Sequence, residues 1–148
     1  MLKNIKNDLL YLLGILNAIA KIKKYSEVCK SPEELFEVNQ QLNYNACLNL
    51  LSFIGENANK ISNKLKDCYK EIQWDKIISF RNKVVHDYQG LDIFIVYKII
   101  SENLGRLEID ICKVIENELL SNTFDRDEYK IAKENKYYNL IDFSRIKF

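Results

Sequence analysis

Within one short span, Arg81-Asn82-Lys83-Val84-Val85-His86-Asp87-Tyr88, the chain places a permanent cation, its single histidine and a phenol at the spacing R-x-x-x-x-H-x-Y. A guanidinium stays charged at any biological pH, and imidazole is the side chain type that exchanges protons near neutrality. That pair suits RNA cleavage. A histidine moves a proton at the 2′-hydroxyl or at the leaving oxygen, while a cation stabilises the charge that builds on phosphorus. Such a reaction calls for no metal ion, cofactor or nucleophilic serine. Asn82 stands four residues before His86, so its amide and the Ser79 hydroxyl are placed to orient the imidazole.

The same residues carry a helical apolar pattern. On a 3.6-residue helix Trp74, Ile77, Ile78, Val85 and Tyr88 fall on one side, and Arg81 falls among them. An arginine in an apolar stripe requires a partner, a bound anion or an exposed seam. Five residues at 100° each put Arg81 and His86 about 140° apart on a regular helix, so they do not share one narrow face. Either the helix loosens before Gly90, or the site is assembled across a two-fold interface. On spacing alone the stretch is better described as an ordinary amphipathic helix with a surface histidine, an arginine paired to Glu56 or another carboxylate, and a core tyrosine.

The chain that positions this motif has 148 residues, enough for one domain with a continuous core. Apolar residues make up 47% and charged residues 29%, which excludes a disordered chain, and a single proline with four glycines favours long helices. The net charge of +1 removes any whole-molecule electrostatic case for nucleic acid, so anion binding has to be local, with Lys60, Lys64, Lys76, Arg81 and Lys83 as a basic rim. Cys29, Cys47, Cys68 and Cys112 are widely spread without paired histidines, so they read as small helical hydrophobes and not as zinc ligands. No signal peptide and no membrane-length apolar run is evident, so a cytoplasmic protein with reduced thiols is expected.

In chain order, Leu2, Ile5, Leu9, Leu12, Leu16 and Ile19 predict an amphipathic helix reaching toward Tyr25 or Val28. Ser31-Pro32-Glu33-Glu34 reads as a capping box opening a short helix through Leu35 and Phe36. Asn39-Gln40-Gln41 reads as a bend. Ala46, Leu50, Phe53, Ile54, Ala58, Ile61 and Leu65 then mark a second long helix, whose opposite side carries Asn45, Asn49, Ser52, Glu56 and Asn63. Polar stripes ordinarily face water; the functional alternative has Glu56 and Asn49 lining a groove with the Arg81 region. Gly55 costs about 1 kcal/mol in mid-helix relative to alanine, which close helix contact would explain.

Lys66 to Gln73 reads as a polar connection, and Trp74-Asp75 opens the motif helix with Asp75 near its N-terminus. Gly90 is expected as a left-handed stop. Asp92 is expected to cap a last long helix marked by Ile93, Val96, Ile100, Leu104, Leu107, Ile111 and Val114. The fold expected is therefore all-α: an antiparallel bundle of four main helices plus a short helix, over residues 1–120, with a C-terminal extension over 121–148. Asp125 to Asn135 is compatible with a helix, and Tyr137, Tyr138, Phe143 and Phe148 are too apolar for a free tail, so the extension is expected to dock on the bundle, a dimer mate or a partner protein.

The run Phe80 to Tyr88 with Gly90-Leu91-Asp92, together with Ile54-Gly55-Glu56-x-Ala58-x-Lys60-Ile61-Ser62 and Ile72-x-Trp74-x-x-Ile77-Ile78, resembles the HepT-type branch of the HEPN superfamily over about residues 1–115. The resemblance implies a small all-α homodimer acting as the toxin of a prokaryotic toxin–antitoxin pair of the type VII kind, a metal-independent endoribonuclease. By position, Arg81 would bind and stabilise the scissile phosphate, His86 of the other protomer would be the acid/base, and Asn82 and Glu56 would support them. It also implies a minimal nucleotidyltransferase antitoxin, MNT, that adenylylates the motif tyrosine, here Tyr88. The competing expectation is a non-catalytic HEPN binding module that partners such a nucleotidyltransferase.

Overall fold

A computed structural model describes residues 7–148, and among these every regular element is helical. Leu2 and Ile5 of the predicted first helix lie outside the described residues. α1 (Asp8–Ser26), α3 (Leu42–Lys60), α5 (Trp74–His86) and the continuous run of α6 (Ile93–Lys98), a π turn (Ile99–Asn103) and α7 (Leu104–Leu120) are the four long members. Short helices α2 (Pro32–Glu37) and α4 (Asn63–Cys68) link them, and α8 (Arg126–Glu134) belongs to the extension.

Side-chain partners show that neighbouring helices run antiparallel. Along α1 and α3 they are Asp8 with Ser62, Gly14 with Asn57 and Tyr25 with Asn43. Along α3 and α5 they are Asn45 with Tyr88 and Gly55 with Arg81. α3 is therefore the central plank, with α1 on one side and α5 on the other. In α1 the core follows the predicted periodicity, with Leu9, Leu12, Leu16 and Ile19 all buried against Ile111, Val114 and Ile115 of α7. In α3 the stripe is shifted: Ile54 and Ala58 are buried as expected together with Cys47, Leu48 and Leu51, while Ala46, Leu50 and Phe53 are only partly buried.

Local chemistry sets the helix ends. The Ser31 hydroxyl accepts from the Glu34 amide as a capping box requires, while the Glu34 carboxylate reaches one residue further back, to the Lys30 amide. Asn39, Gln40 and Gln41 all take positive φ, which makes the predicted bend a sharp one. α3 stops at Lys60 instead of continuing through Leu65. Ile61 turns extended, Ser62 caps α4, and the Ser62 amide and hydroxyl both donate to the Asp8 carboxylate at 2.8 and 2.6 Å. Asn63 thereby leaves the polar face of α3, and α4 takes over the first part of the expected polar connection.

Three further expectations change in the motif region. Gly90 does not adopt a left-handed conformation; α5 ends at His86, and the carboxylate of the following Asp87 folds back so that a Cβ on Gly90 would lie 2.4 Å from it. Val85 and Tyr88 are half exposed, at 49% and 46%, and Val84 is the buried valine. Tyr88 loses its helical phase because the helix has already ended, and at that level α3 presents the polar Asn45. The last long helix is interrupted by the π turn, where Ile99 and Asn103 face a cleft beside α5.

The segment after Leu120 packs on the α1 and α7 side. Phe124, Tyr129, Ala132, Ile141 and Ile146 are buried, and the Tyr129 ring meets Phe143 and Phe148 edge-on. Arg145 bonds the buried Glu108 carboxylate at 2.6 Å, and Lys23 of α1 bonds the same oxygen at 2.5 Å.

Candidate active site

Arg81 reaches its position because α3 has no side chain where α5 crosses it. A Cβ on Gly55 would lie 2.2 Å from Arg81 Cβ and 3.1 Å from the Ile77 carbonyl oxygen, so only glycine admits this approach. The aliphatic stem of Arg81 thus lies against the α3 backbone, and the guanidinium emerges on the flank of α5 that also carries Ile78 and Asn82. There Nη2 donates to Glu56 Oε1 and Nη1 to Asn82 Oδ1, both at 3.2 Å. Nε is buried and has no partner among the described residues. The arginine of the apolar stripe therefore has its carboxylate, from the α3 residue next to the glycine that admits it.

The guanidinium opens onto a groove of about 360 Å³ lined by Gly55, Glu56, Asn59, Lys60, Ile78, Arg81 and Asn82. Among the described residues Glu56 is the one carboxylate lining the groove and is already paired, while Lys60 adds a second cation at the end of α3. An anionic group such as a phosphodiester is the ligand class this balance favours.

His86 is the final residue of α5, exposed, and its imidazole has no hydrogen bond within the described chain. α5 remains α-helical through His86, so it does not loosen to carry the imidazole toward Arg81. Asn82, expected to orient His86, engages Arg81 instead. The structure therefore assembles Arg81, Asn82 and Glu56 into one ion-pair cluster and leaves His86 beyond it. Tyr88 follows the helix, and its hydroxyl donates to Asn45 Oδ1 on α3. Burial pushes the neighbouring Tyr44 phenol up, with Tyr88 and Asp92 adding to that effect.

Asn45, Asn59 and Ile78 did not stand out as site residues in the sequence, where Asn45 belonged to a stripe read as solvated; the only signal was its regular helical spacing with Asn49. Of the basic rim, Lys60 lines the Arg81 groove, whereas Lys76 faces a separate apolar cleft of about 560 Å³ between α5 and the π turn. All four cysteines are free, with Cys68 exposed. No described helix is long and apolar enough to cross a membrane.

Comparison with known proteins agrees with the resemblance read from the motif. The chain is 30% identical over 99 residues to the "Probable ribonuclease HepT" of Thermococcus cleftensis, covering 66% of this chain and 86% of that protein. It is 22% identical over 95 residues to "Putative RNase MJ1380" of Methanocaldococcus jannaschii, covering 57% of this chain and 87% of that one. No solved structure matches. The family model described as "Ribonuclease HepT-like" matches residues 15–115, a span that contains α3, α5, Arg81, His86 and Tyr88. On that match, the chain belongs to the ribonuclease HepT-like family of the HEPN superfamily.

Proposed function

We propose that this protein is a metal-independent endoribonuclease whose site is completed by a second copy of the chain, and that it serves as the toxin of a toxin–antitoxin pair. The observation that carries the reading is the arrangement of Arg81 beside its groove: a guanidinium fixed by Glu56 and Asn82, with the exposed His86, which has no hydrogen-bond partner among the described residues, at the end of the same helix. The two groups leave a regular helix about 140° apart, so a two-fold pairing of α5 with its counterpart is the simplest way to set one protomer's Arg81 opposite the other's His86. The half-exposed Val85 beside His86 supplies apolar surface for that seam.

In the reaction, neutral His86 takes the proton of the ribose 2′-hydroxyl as its oxygen attacks phosphorus. The bond to the 5′-oxygen breaks, leaving a 2′,3′-cyclic phosphate, and that oxygen leaves as a hydroxyl by taking a proton from the His86 imidazolium or from water. Arg81 stabilises the additional negative charge on the non-bridging oxygens, and Glu56 and Asn82 hold its plane. Neutralisation is assigned to Tyr88 by a nucleotidyltransferase antitoxin. Its hydroxyl attacks the α-phosphorus of ATP, pyrophosphate leaves, and the phenolic proton is lost. The product adds bulk and negative charge two residues from His86. The half-exposed ring supports Tyr88 as an accessible acceptor.

The test is cleavage of mixed RNA in EDTA by purified protein. Activity is expected from the parent and not from Arg81→Ala or His86→Ala. Mixing the two inactive variants is expected to restore part of the activity, because each mixed dimer carries one site with both groups. No activity from the parent overturns the ribonuclease reading, and failure of the mixture to recover overturns the shared site. Intact mass after co-expression with an adjacent nucleotidyltransferase gene is expected to show AMP on Tyr88; modification elsewhere overturns that assignment.

A further inference from the structure

The exposed side of α3 carries Asn45, Asn49, Ser52, Glu56 and Asn59 at steps of three and four residues, so they form one continuous stripe. Its two ends touch the motif. Asn45 accepts the Tyr88 hydroxyl, and Glu56 holds Arg81, about 16 Å further along the helix at 1.5 Å per residue. Asn59 continues the stripe into the Arg81 groove. The stripe is therefore the surface that joins the proposed modification site to the proposed cleavage site.

Its chemistry differs from that of an ordinary wet helix face. The exposed positions of α7 include Arg106 and Lys113, while this side of α3 shows carboxamides and a hydroxyl around one carboxylate that Arg81 already occupies. Asparagine is a poor helix former, so the choice carries a cost in helix stability. Only Asn45 recovers a hydrogen bond within the described residues; the side-chain amides of Asn49 and Asn59 have none. A carboxamide offers a donor and an acceptor side by side, which matches the N6 and N7 edge of adenine. In an A-form duplex the N6 and N7 edge of adenine faces the deep, narrow major groove, which side chains cannot read, whereas unpaired bases offer that edge freely and stack on exposed aromatic rings such as Tyr88.

We infer that the α3 stripe is a base-reading track, with Asn49 selecting an unpaired adenine in RNA whose backbone is held at Arg81 and Lys60. The inference rests on the ribonuclease reading. Asn49 is a specificity-determining residue in this account and takes no part in proton transfer.

The test measures binding of labelled A12, U12 and the A12–U12 duplex to the His86→Ala protein by fluorescence anisotropy, beside His86-dependent cleavage by the parent. A12 is expected to bind about tenfold more tightly than U12, one bidentate pair's worth of discrimination, and more tightly than the duplex. Adding Asn49→Ala is expected to abolish the A12 preference, while Asn63→Ala, on α4 and off the stripe, leaves it intact. Cleavage by the parent without an A12 preference, a preference that survives Asn49→Ala, or duplex binding equal to A12 overturns the track and leaves the ribonuclease reading standing. No binding to any of the three and no His86-dependent cleavage overturns both.

Discussion

Gly55 and Arg81 occupy each other's space: the missing side chain of one is the seat of the other, with a built Cβ only 2.2 Å from Arg81 Cβ. The obstacle is fixed to the α5 backbone, so no rotamer change relieves it. Gly55→Ala therefore forces α3 and α5 apart. Overpacking of about 1–3 kcal/mol outweighs the helix propensity gain of about 1 kcal/mol. A lower thermal midpoint and weaker RNA cleavage are expected together. Gly105 in α7 is the matched control, because nothing among the described residues lies within 4 Å of its built Cβ, and Gly105→Ala should raise the midpoint. If Gly55→Ala melts as the parent does, the close approach is not structural.

Arg81 holds two acceptors with two different nitrogens, a geometry that a lysine ammonium cannot reproduce in plane. Arg81→Lys is expected to lower kcat about 100-fold, the usual consequence of losing one preorganised donor at a reacting phosphate. Its thermal midpoint should barely move, since an ion pair this exposed contributes at most about 1 kcal/mol. Glu56→Gln frees the guanidinium from a competing charge, so KM for RNA should fall severalfold. A rise in KM would mean that Glu56 assists RNA binding instead of competing with it.

Glu108 is 8% exposed and accepts from both Lys23 and Arg145, clamping α1, α7 and the extension at one carboxylate. Arg145→Ala removes one partner at a half-exposed site and should cost about 1 kcal/mol or less. Amide exchange should accelerate in residues 137–148 and stay unchanged in α3. Glu108→Ala leaves two cations without their acceptor and should cost more, about 1–3 kcal/mol. Equal exchange rates in parent and Arg145→Ala would show that Ile141 and Ile146 hold the segment without the clamp.

Burial pushes the Cys47 thiol up to about 12 from 9.0, and the Cys112 thiol up to about 11. An unfolded chain releases these protons at lower pH than the folded one. The stabilising effect is thus whole below pH 9.0 and is lost as pH rises toward the folded values. Urea melts should show stability declining above that point, and Cys47→Ala should decline less steeply than the parent. With an aromatic disulfide reagent under native conditions, the exposed Cys68 should react first, and Cys68→Ser should remove the fast phase. A steeper alkaline decline in Cys47→Ala would contradict the sign.

Helix content and the antiparallel bundle follow from residue pattern alone, because apolar spacing and caps such as Ser31 and Asp92 act within a few residues of the chain. So does the family, since the motif and the run around Gly55-Glu56 are contiguous. The sequence also raised, without deciding it, the pairing of Arg81 with Glu56 and a close contact at Gly55. Other features needed the packed chain. Helical phase assigned Tyr88 to the core, but Asp87 ends the helix first, and the ring stands half exposed with its hydroxyl on Asn45. Asn82 lies one turn from His86 in sequence yet bonds the guanidinium that Gly55 brings beside it. A wheel records the direction in which a side chain leaves its own axis. Where the next helix lies, and which of its residues is small enough to admit that side chain, is decided by tertiary packing.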